Sequence, residues 1–340
     1  FVASTHDYIL YFTTSGMIYW EKVYEIPEAT RTSKGKAIVN LLNIKEGEKV
    51  AAMIRAREFS EDEYLVMATR KGVVKKTALA AFKNVRKDSI IAIKIDEGDE
   101  LIQVMKTSGD DDVMLATRNG MSIRFHESQL RSMGRVTRGV RGISLRKDDQ
   151  VDSLEIVDED ATFLTCTENG YGKRTEFDEY RVQSRGGKGI IAIRTSERNG
   201  QVVGAHTVRD TDAVMLMTEN GKMIRMAVED IRVIGRSTQG VRLINLDADD
   251  KLVSATREAR PRDAEAASGP GRWNGFEAPQ KGYAEKVYFH EMGADRRGMT
   301  QAGLVNGRLD GERGLGLYVR YPRAALPRFI QWKMMGEGVY

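Results

Sequence analysis

Basic side chains recur along this 340-residue chain at fixed distances from repeated glycines, and no other pattern of residue types carries clearer chemistry. Lys76, Arg124, Arg174 and Arg225 each lie four positions after Gly72, Gly120, Gly170 and Gly221, while Trp20 holds that place after Gly16. Arg31, Arg135, Arg185 and Arg236 each stand four positions before a second glycine, Gly35, Gly139, Gly189 and Gly240. Periodic cations neutralise a polyanion, and phosphate is the ligand they suit. The net charge of +4 is too small to decide this, so the distribution must. Acidic residues gather in other turns, such as Asp96–Glu100 and Asp247–Asp250. The candidate phosphate contacts are Arg31, Lys34, Lys75, Lys76, Arg86, Lys87, Arg124, Arg135, Arg138, Arg141, Lys173, Arg174, Arg185, Lys188, Arg225 and Arg236. The competing reading is that cations after the hairpin glycine pair with acidic turns of a neighbouring unit.

Nothing in the sequence points to catalysis. His6, His126, His206 and His290 are each isolated, with no metal-ligand spacing, and no Gly-Lys-Ser/Thr loop is present to cradle a nucleotide. We expect no catalytic residue, no metal and no cofactor on this chain. Cys166 lies in an apolar run and reads as a small buried hydrophobe, so a disulfide framework is excluded and a reducing, cytoplasmic setting is expected. No apolar run approaches the ~20 residues that span a bilayer, and no signal peptide is visible. The chain opens at Phe1 inside the approach to a strand, which reads as a fragment.

The elements that must position the cations are written five times. An apolar run ends in Thr-x-x-Gly at Thr13–Gly16, Thr69–Gly72, Thr117–Gly120, Thr167–Gly170 and Thr218–Gly221, at a period of about fifty residues. Residue pairs such as Lys71-Gly72 and Asn119-Gly120 suit the positive φ of a two-residue hairpin turn. A second aliphatic run follows each hairpin, as in Gly35–Leu41, Ser89–Ile95, Gly139–Leu145, Gly189–Ile193 and Gly240–Leu246, then an acidic turn and a last strand. Four-stranded units at this period predict an all-β propeller-like ring; the short apolar blocks do not fit a helical solenoid. The pattern ends near residue 260. Residues 1–259 read as the ring, 260–272 as a linker rich in Pro, Gly and Ala, and 273–340 as an incomplete β segment with strands at Ala284–His290 and Leu315–Tyr321.

Particular strings carry a resemblance over residues 1 to about 257. Lys22-Val-Tyr-Glu-Ile-Pro-Glu-Ala-Thr30, Gly35-Lys-Ala-Ile-Val-Asn-Leu-Leu42, Asn169-Gly-Tyr-Gly-Lys-Arg-Thr175 and Gly235-Arg-Ser-Thr-Gln-Gly-Val241 closely resemble the C-terminal domain of bacterial DNA gyrase A. The resemblance implies a β-pinwheel of six blades with outer strands exchanged between neighbours, of which these repeats would be the second to sixth. It implies DNA wrapped without sequence preference on a basic rim, partnership with the rest of gyrase A and with gyrase B in a complex of two copies of each, and a place at the nucleoid. The family's Gln-Arg-Arg-Gly-Gly-Lys-Gly box belongs to the first blade, upstream of Phe1. A near copy, Gln183-Ser-Arg-Gly-Gly-Lys-Gly189, stands in the fourth repeat. Gln183, Arg185, Gly186, Gly187, Lys188 and Gly189 read either as a DNA-contacting loop or as a blade connector. A topoisomerase IV counterpart or a protein-binding propeller would share the fold.

The tail resembles a different family. Gly275-Phe-Glu-Ala-Pro-Gln-Lys-Gly-Tyr-Ala-Glu285, Gly314–Tyr321 and Gln331–Gly338 look like part of an aldose 1-epimerase-like β-sandwich, either a foreign segment or an extra module. His290, Glu291 and Glu337 could form a carbohydrate acid/base set, but so short a piece is not expected to hold catalytic geometry.

Overall fold

The computed structural model describes residues 3–27, 35, 37–45, 47–83, 89–247 and 249–259, with the backbone of two further strands, Lys286–Met292 and Gln301–Asn306. Arg31, Lys34, Arg86 and Lys87, the linker 260–272 and the expected strand at 315–321 lie outside the described residues.

Each repeat opens with a hairpin whose first strand is mostly apolar and largely buried: Tyr8–Thr13, Tyr64–Thr69, Asp112–Thr117, Thr162–Thr167 and Ala213–Thr218. Such apolarity follows from burial on both faces. Leu65 and Met67 pack with Leu10 and Phe12 of the repeat before, while Val66 and Ala68 pack with Val113 and Leu115 of the repeat after. The last strands of the repeats, Val50–Ala56, Leu101–Thr107, Val151–Ile156, Val202–Val208 and Leu252–Glu258, stand side by side in chain order along the inner edge. The blades are therefore stacked around an axis, as a propeller requires.

His206, on the fourth inner strand, ties three blades together. Its ring nitrogens meet Glu155 Oε1 of the third at 3.0 Å and the Ala255 carbonyl of the fifth at 2.7 Å. Burial, the largest single influence, opposes the imidazolium there, but the hydrogen bond and charge of Glu155, the Ala255 carbonyl and the charge of Asp152 together outweigh it, and the pKa is raised. Cys166 is buried as expected, and burial pushes its thiol up to about 12.

Two turn expectations need correction. The hairpins are not two-residue turns with a pair of positive-φ residues, because only the glycine takes positive φ: Gly16 +81°, Gly72 +83°, Gly120 +78°, Gly170 +78°, Gly221 +84°. The glycine N–H returns to the threonine carbonyl in every copy at 2.9–3.0 Å, a type I turn closed by a left-handed glycine. The threonine hydroxyl accepts from the residue after the glycine in four copies, for instance Met121 N at 3.1 Å from Thr117. That bond explains why threonine recurs three places before the glycine.

The second aliphatic runs do not pair within their own repeats. Ile90–Ile91, Val140–Arg141, Ile190–Ile191 and Val241–Arg242 each add a short outer strand to the blade before. The receiving hairpin glycine anchors this exchange through its carbonyl. Gly16 accepts from Ala92 and Ile93, Gly72 from Gly142 and Ile143, Gly120 from Ala192 and Ile193, and Gly170 from Leu243 and Ile244, with N–H to O distances of 2.8–3.4 Å. Four blades thus have four strands, while the fifth has three among the described residues. In the first repeat the equivalent run is not a strand: Ile38–Asn40 forms a 3-10 turn that packs Ile38 and Leu42 against Tyr11 and Tyr19 of its own blade. The two tail strands pair with each other, and Lys286–Met292 also pairs with Ala3–Ser4. No helix among the described residues is long and apolar enough to cross a membrane.

A Cβ at Gly120 would collide with the Ile193 carbonyl, in a backbone region that already disfavours L side chains. Gly120→Ala is expected to lower folding stability by at least about 2 kcal/mol, read from the urea midpoint; a change within about 0.5 kcal/mol would mean that the exchanged strand is not anchored there.

Candidate nucleic-acid interface

In the third, fourth and fifth repeats the chain between the hairpin and its exchanged strand runs along the outer edge of the preceding blade. Ser132, Val182 and Val233 bridge in parallel to Lys76, Arg124 and Arg174 on that edge, and the chain then turns back to pair antiparallel. Successive crossovers are hydrogen-bonded to one another: Lys94 N to Thr137 O at 3.0 Å, Ser144 N to Gly187 O at 2.8 Å, Arg194 N to Thr238 O at 2.9 Å. They form one continuous belt. Residues 131–145, 181–195 and 232–246 of this belt contain eleven Lys or Arg and no Asp or Glu, so its charge is uncompensated within its own sequence.

The belt divides the expected phosphate contacts into two groups. Arg138, Arg141 and Lys188 are exposed on it, with Arg138 also paired to Asp96 of the neighbouring turn. Arg135, Arg185 and Arg236 are half-buried; the guanidinium of Arg185 donates to the carbonyls of Gln129 at 3.0 Å and Arg141 at 3.2 Å, and that of Arg236 to Ile191 O at 3.1 Å. Arg185 and Arg236 thus fasten the belt while remaining partly open to solvent.

Five other candidates are misplaced as ligand contacts, because the structure buries them. Lys75 and Lys173 are 0 % exposed and bond to backbone carbonyls. Lys76 meets Glu127 at 2.8 Å, and Glu127, 0 % exposed, also accepts from Thr107, Gly109 and Asp111. Arg124 is held by Asp112 at 2.7 Å and Glu159 at 2.8 Å; burial disfavours its charge, but these two carboxylates more than compensate and raise its pKa. Arg174 donates to Ile231 O at 2.8 Å and pairs with Asp210. Arg225 is exposed but paired with Glu258 at 2.6 Å. The basic position after the hairpin glycine is therefore an ion-pair position in all four copies and internal in three, the reading that competed with phosphate contact.

The Gln183–Gly189 loop is built as a connector. Gly186 and Gly189 have φ of +79° and +71°, Gly186 N donates to Gly142 O at 2.6 Å, and a Cβ at Gly189 would strike Ser122 O. Gln183 N donates to Arg124 O at 2.8 Å. Lys188 projects from this scaffold, exposed and without an ion-pair partner among the described residues.

Sequence reasoning missed a set that the same period encodes. Lys83, Arg131, Arg181 and Arg232 each lie eleven positions after a hairpin glycine, and all four are exposed where a crossover begins. Counting only four places beyond the glycine, or only back from the second glycine, passes over them.

Exchanged outer strands and a cationic belt along the outer edges define a β-pinwheel, a propeller whose blades are completed by their neighbours. The chain belongs to the DNA gyrase C-terminal domain, beta-propeller family, whose repeats match residues 7–57, 63–108, 111–158, 161–209 and 212–257. It is 48 % identical over 264 residues to the DNA gyrase A proteins of Salmonella typhimurium and of Escherichia coli K12, covering 78 % of this chain and 30 % of each of those proteins. Against the DNA gyrase A of Haloquadratum walsbyi it is 45 % identical over 276 residues, 79 % of this chain and 32 % of that protein. The chain thus spans about a third of the length of these relatives. Among solved structures, the C-terminal domain of a DNA topoisomerase IV superposes with a TM-score of 0.71 at 25 % identity, covering 79 % of this chain and 85 % of that one. A DNA gyrase A C-terminal domain gives 0.66 at 26 % identity, over 76 % and 84 %. A second family, a domain of unknown function (DUF4432), matches residues 244–340, overlapping the last blade.

Lys76→Met would leave the Glu127 carboxylate charged and buried. It is expected to destabilise the fold by about 3–5 kcal/mol in chemical denaturation, whereas the double variant with Glu127→Leu recovers much of that loss; a near-zero effect of the single change would contradict the pairing.

Proposed function

We propose that this chain binds double-stranded DNA along its crossover belt and wraps it, as the DNA-handling domain of a gyrase-type topoisomerase. The observation that carries this reading is the belt, with eleven cations and no acids on three linked crossovers at the outer edge of consecutive blades. Smooth bending of 20–30 bp by 40–90° costs on the order of 1–6 kcal/mol, so contacts must be distributed around the arc instead of concentrated at one point. A belt repeated blade after blade supplies such contacts. It carries no element shaped to read base edges, and little sequence preference follows.

Strand passage is assigned to the rest of a gyrase A chain and to gyrase B, in an assembly of two of each, within the cytoplasm and at the nucleoid. The identity of 45–48 % to gyrase A proteins supports this over a topoisomerase IV context, although the pinwheel suits both. For residues 273–340 we retain an epimerase-like segment, supported by the strings at 275–285 and 314–321.

DNA affinity is expected to fall steeply with salt, with a log-log slope on the order of −10. Replacing Arg131, Arg181 and Arg232 together by Ala should make that slope shallower by about 2–3 units and weaken binding to all sequences alike. Lys222→Ala, at a hairpin tip paired with Asp247, should leave it unchanged. A triple variant with unaltered affinity and slope would remove the belt from the DNA path.

A further inference from the structure

Lys75 and Lys173 contact no solvent, yet both are fastened to the belt. Lys75 Nζ donates to the carbonyls of Ala92, at 2.7 Å, and Arg135; Lys173 Nζ donates to those of Gly235, at 2.7 Å, and Arg236. Each ammonium therefore grips a crossover that bears belt arginines, Arg135, Arg138 and Arg141 on one and Arg236 and Arg242 on the other. The charged groups that face them are Arg135 for Lys75, and Glu179 and Arg236 for Lys173. Both lysines stand three positions after a hairpin glycine, where the first, third and fifth blades carry Tyr19, Ile123 and Ile224. Uncharged side chains stand at that position in the other blades, so the hairpin itself does not require a cation there.

We propose that Lys75 and Lys173 are positioning residues for the DNA belt, and that DNA binding drives proton uptake onto them, locking the crossovers of the second and fourth blades beneath the phosphates. The inference rests on the reading that the belt binds DNA. Burial lowers Lys75 to about 8 and Lys173 to about 7; the Arg135 charge adds to this at Lys75, and at Lys173 Arg236 adds to it while Glu179 opposes it. A phosphate held by Arg135 or Arg236 offsets the arginine's repulsion and favours the ammonium, whose charge-assisted bonds to carbonyls are the stronger ones.

The linkage has a sign that separates positioning from general support. Between pH of about 7 and 10 the native lysines hold fewer protons than unfolded lysines, whose pKa is about 10.4, so these two groups make folding stability rise with pH. DNA affinity consumes protons over the same range and falls.

The test measures affinity of the full chain for a mixed-sequence duplex at constant ionic strength, from about pH 7 to about pH 9. The expected result is a fall in affinity with rising pH, bounded at about tenfold per pH unit for each lysine engaged, absent in the Lys75→Met/Lys173→Met variant, which also binds more weakly at neutral pH. Should that variant fail to fold, proton uptake by the unmodified protein decides, from binding enthalpies in buffers of different ionisation enthalpy: about one to two protons per complex supports the inference, and none overturns it. Pronounced pH dependence that persists in a folded variant also overturns it. DNA binding that is pH-independent sinks this inference alone, whereas no DNA binding at low salt and neutral pH removes the DNA reading together with it.

Discussion

Strand exchange at the hairpin glycine is the constraint from which the rest of the structure follows. A left-handed glycine closes each turn, and in four of the five its carbonyl takes two N–H groups from the next repeat. No side chain is tolerated at Gly120, because the incoming Ile193 carbonyl occupies that space. Exchange makes each blade incomplete without its neighbour, as expected of a repeat that cannot bury its faces alone. It also forces a length of chain across the outer edge of a blade that receives a strand, and that length is the belt.

The same constraint sorts the charges. A cation four positions beyond the glycine points between blades, where Glu127, Asp112 with Glu159, or Asp210 neutralises Lys76, Arg124 or Arg174. Among the described residues, the crossover cations other than Arg138, which meets Asp96, have no such carboxylate built in. Removing a partner from the first kind leaves a buried charge and costs stability, whereas the second kind is available to an external polyanion. Lys75 and Lys173 stand between these kinds, internal by burial yet bonded to the crossovers themselves.

Much of the fold was legible because its signals are local and repeated. Thr-x-x-Gly at a fifty-residue period names the hairpins, and runs such as Leu65–Ala68 name strands buried on both faces. Assignment of the cations was less legible, because period alone does not tell an inward residue from an outward one. Lys75 and Lys76 are adjacent and equally basic, yet both are buried, one among carbonyls and one against Glu127. Partners such as Glu127 and Asp210 lie tens of residues away, and only the exchange topology brings them near. Arg131, Arg181 and Arg232 were visible in principle, since they follow the hairpin glycines at one constant distance.

DNA topology tests the central claim most directly. Closed circular DNA relaxed by a nicking-closing topoisomerase with the full chain bound, then freed of protein, should show a linking-number distribution displaced from that of DNA relaxed alone, by an amount that grows with the ratio of protein to DNA. A distribution that does not move at protein concentrations that saturate the DNA would show that the belt binds without wrapping, and would contradict the account.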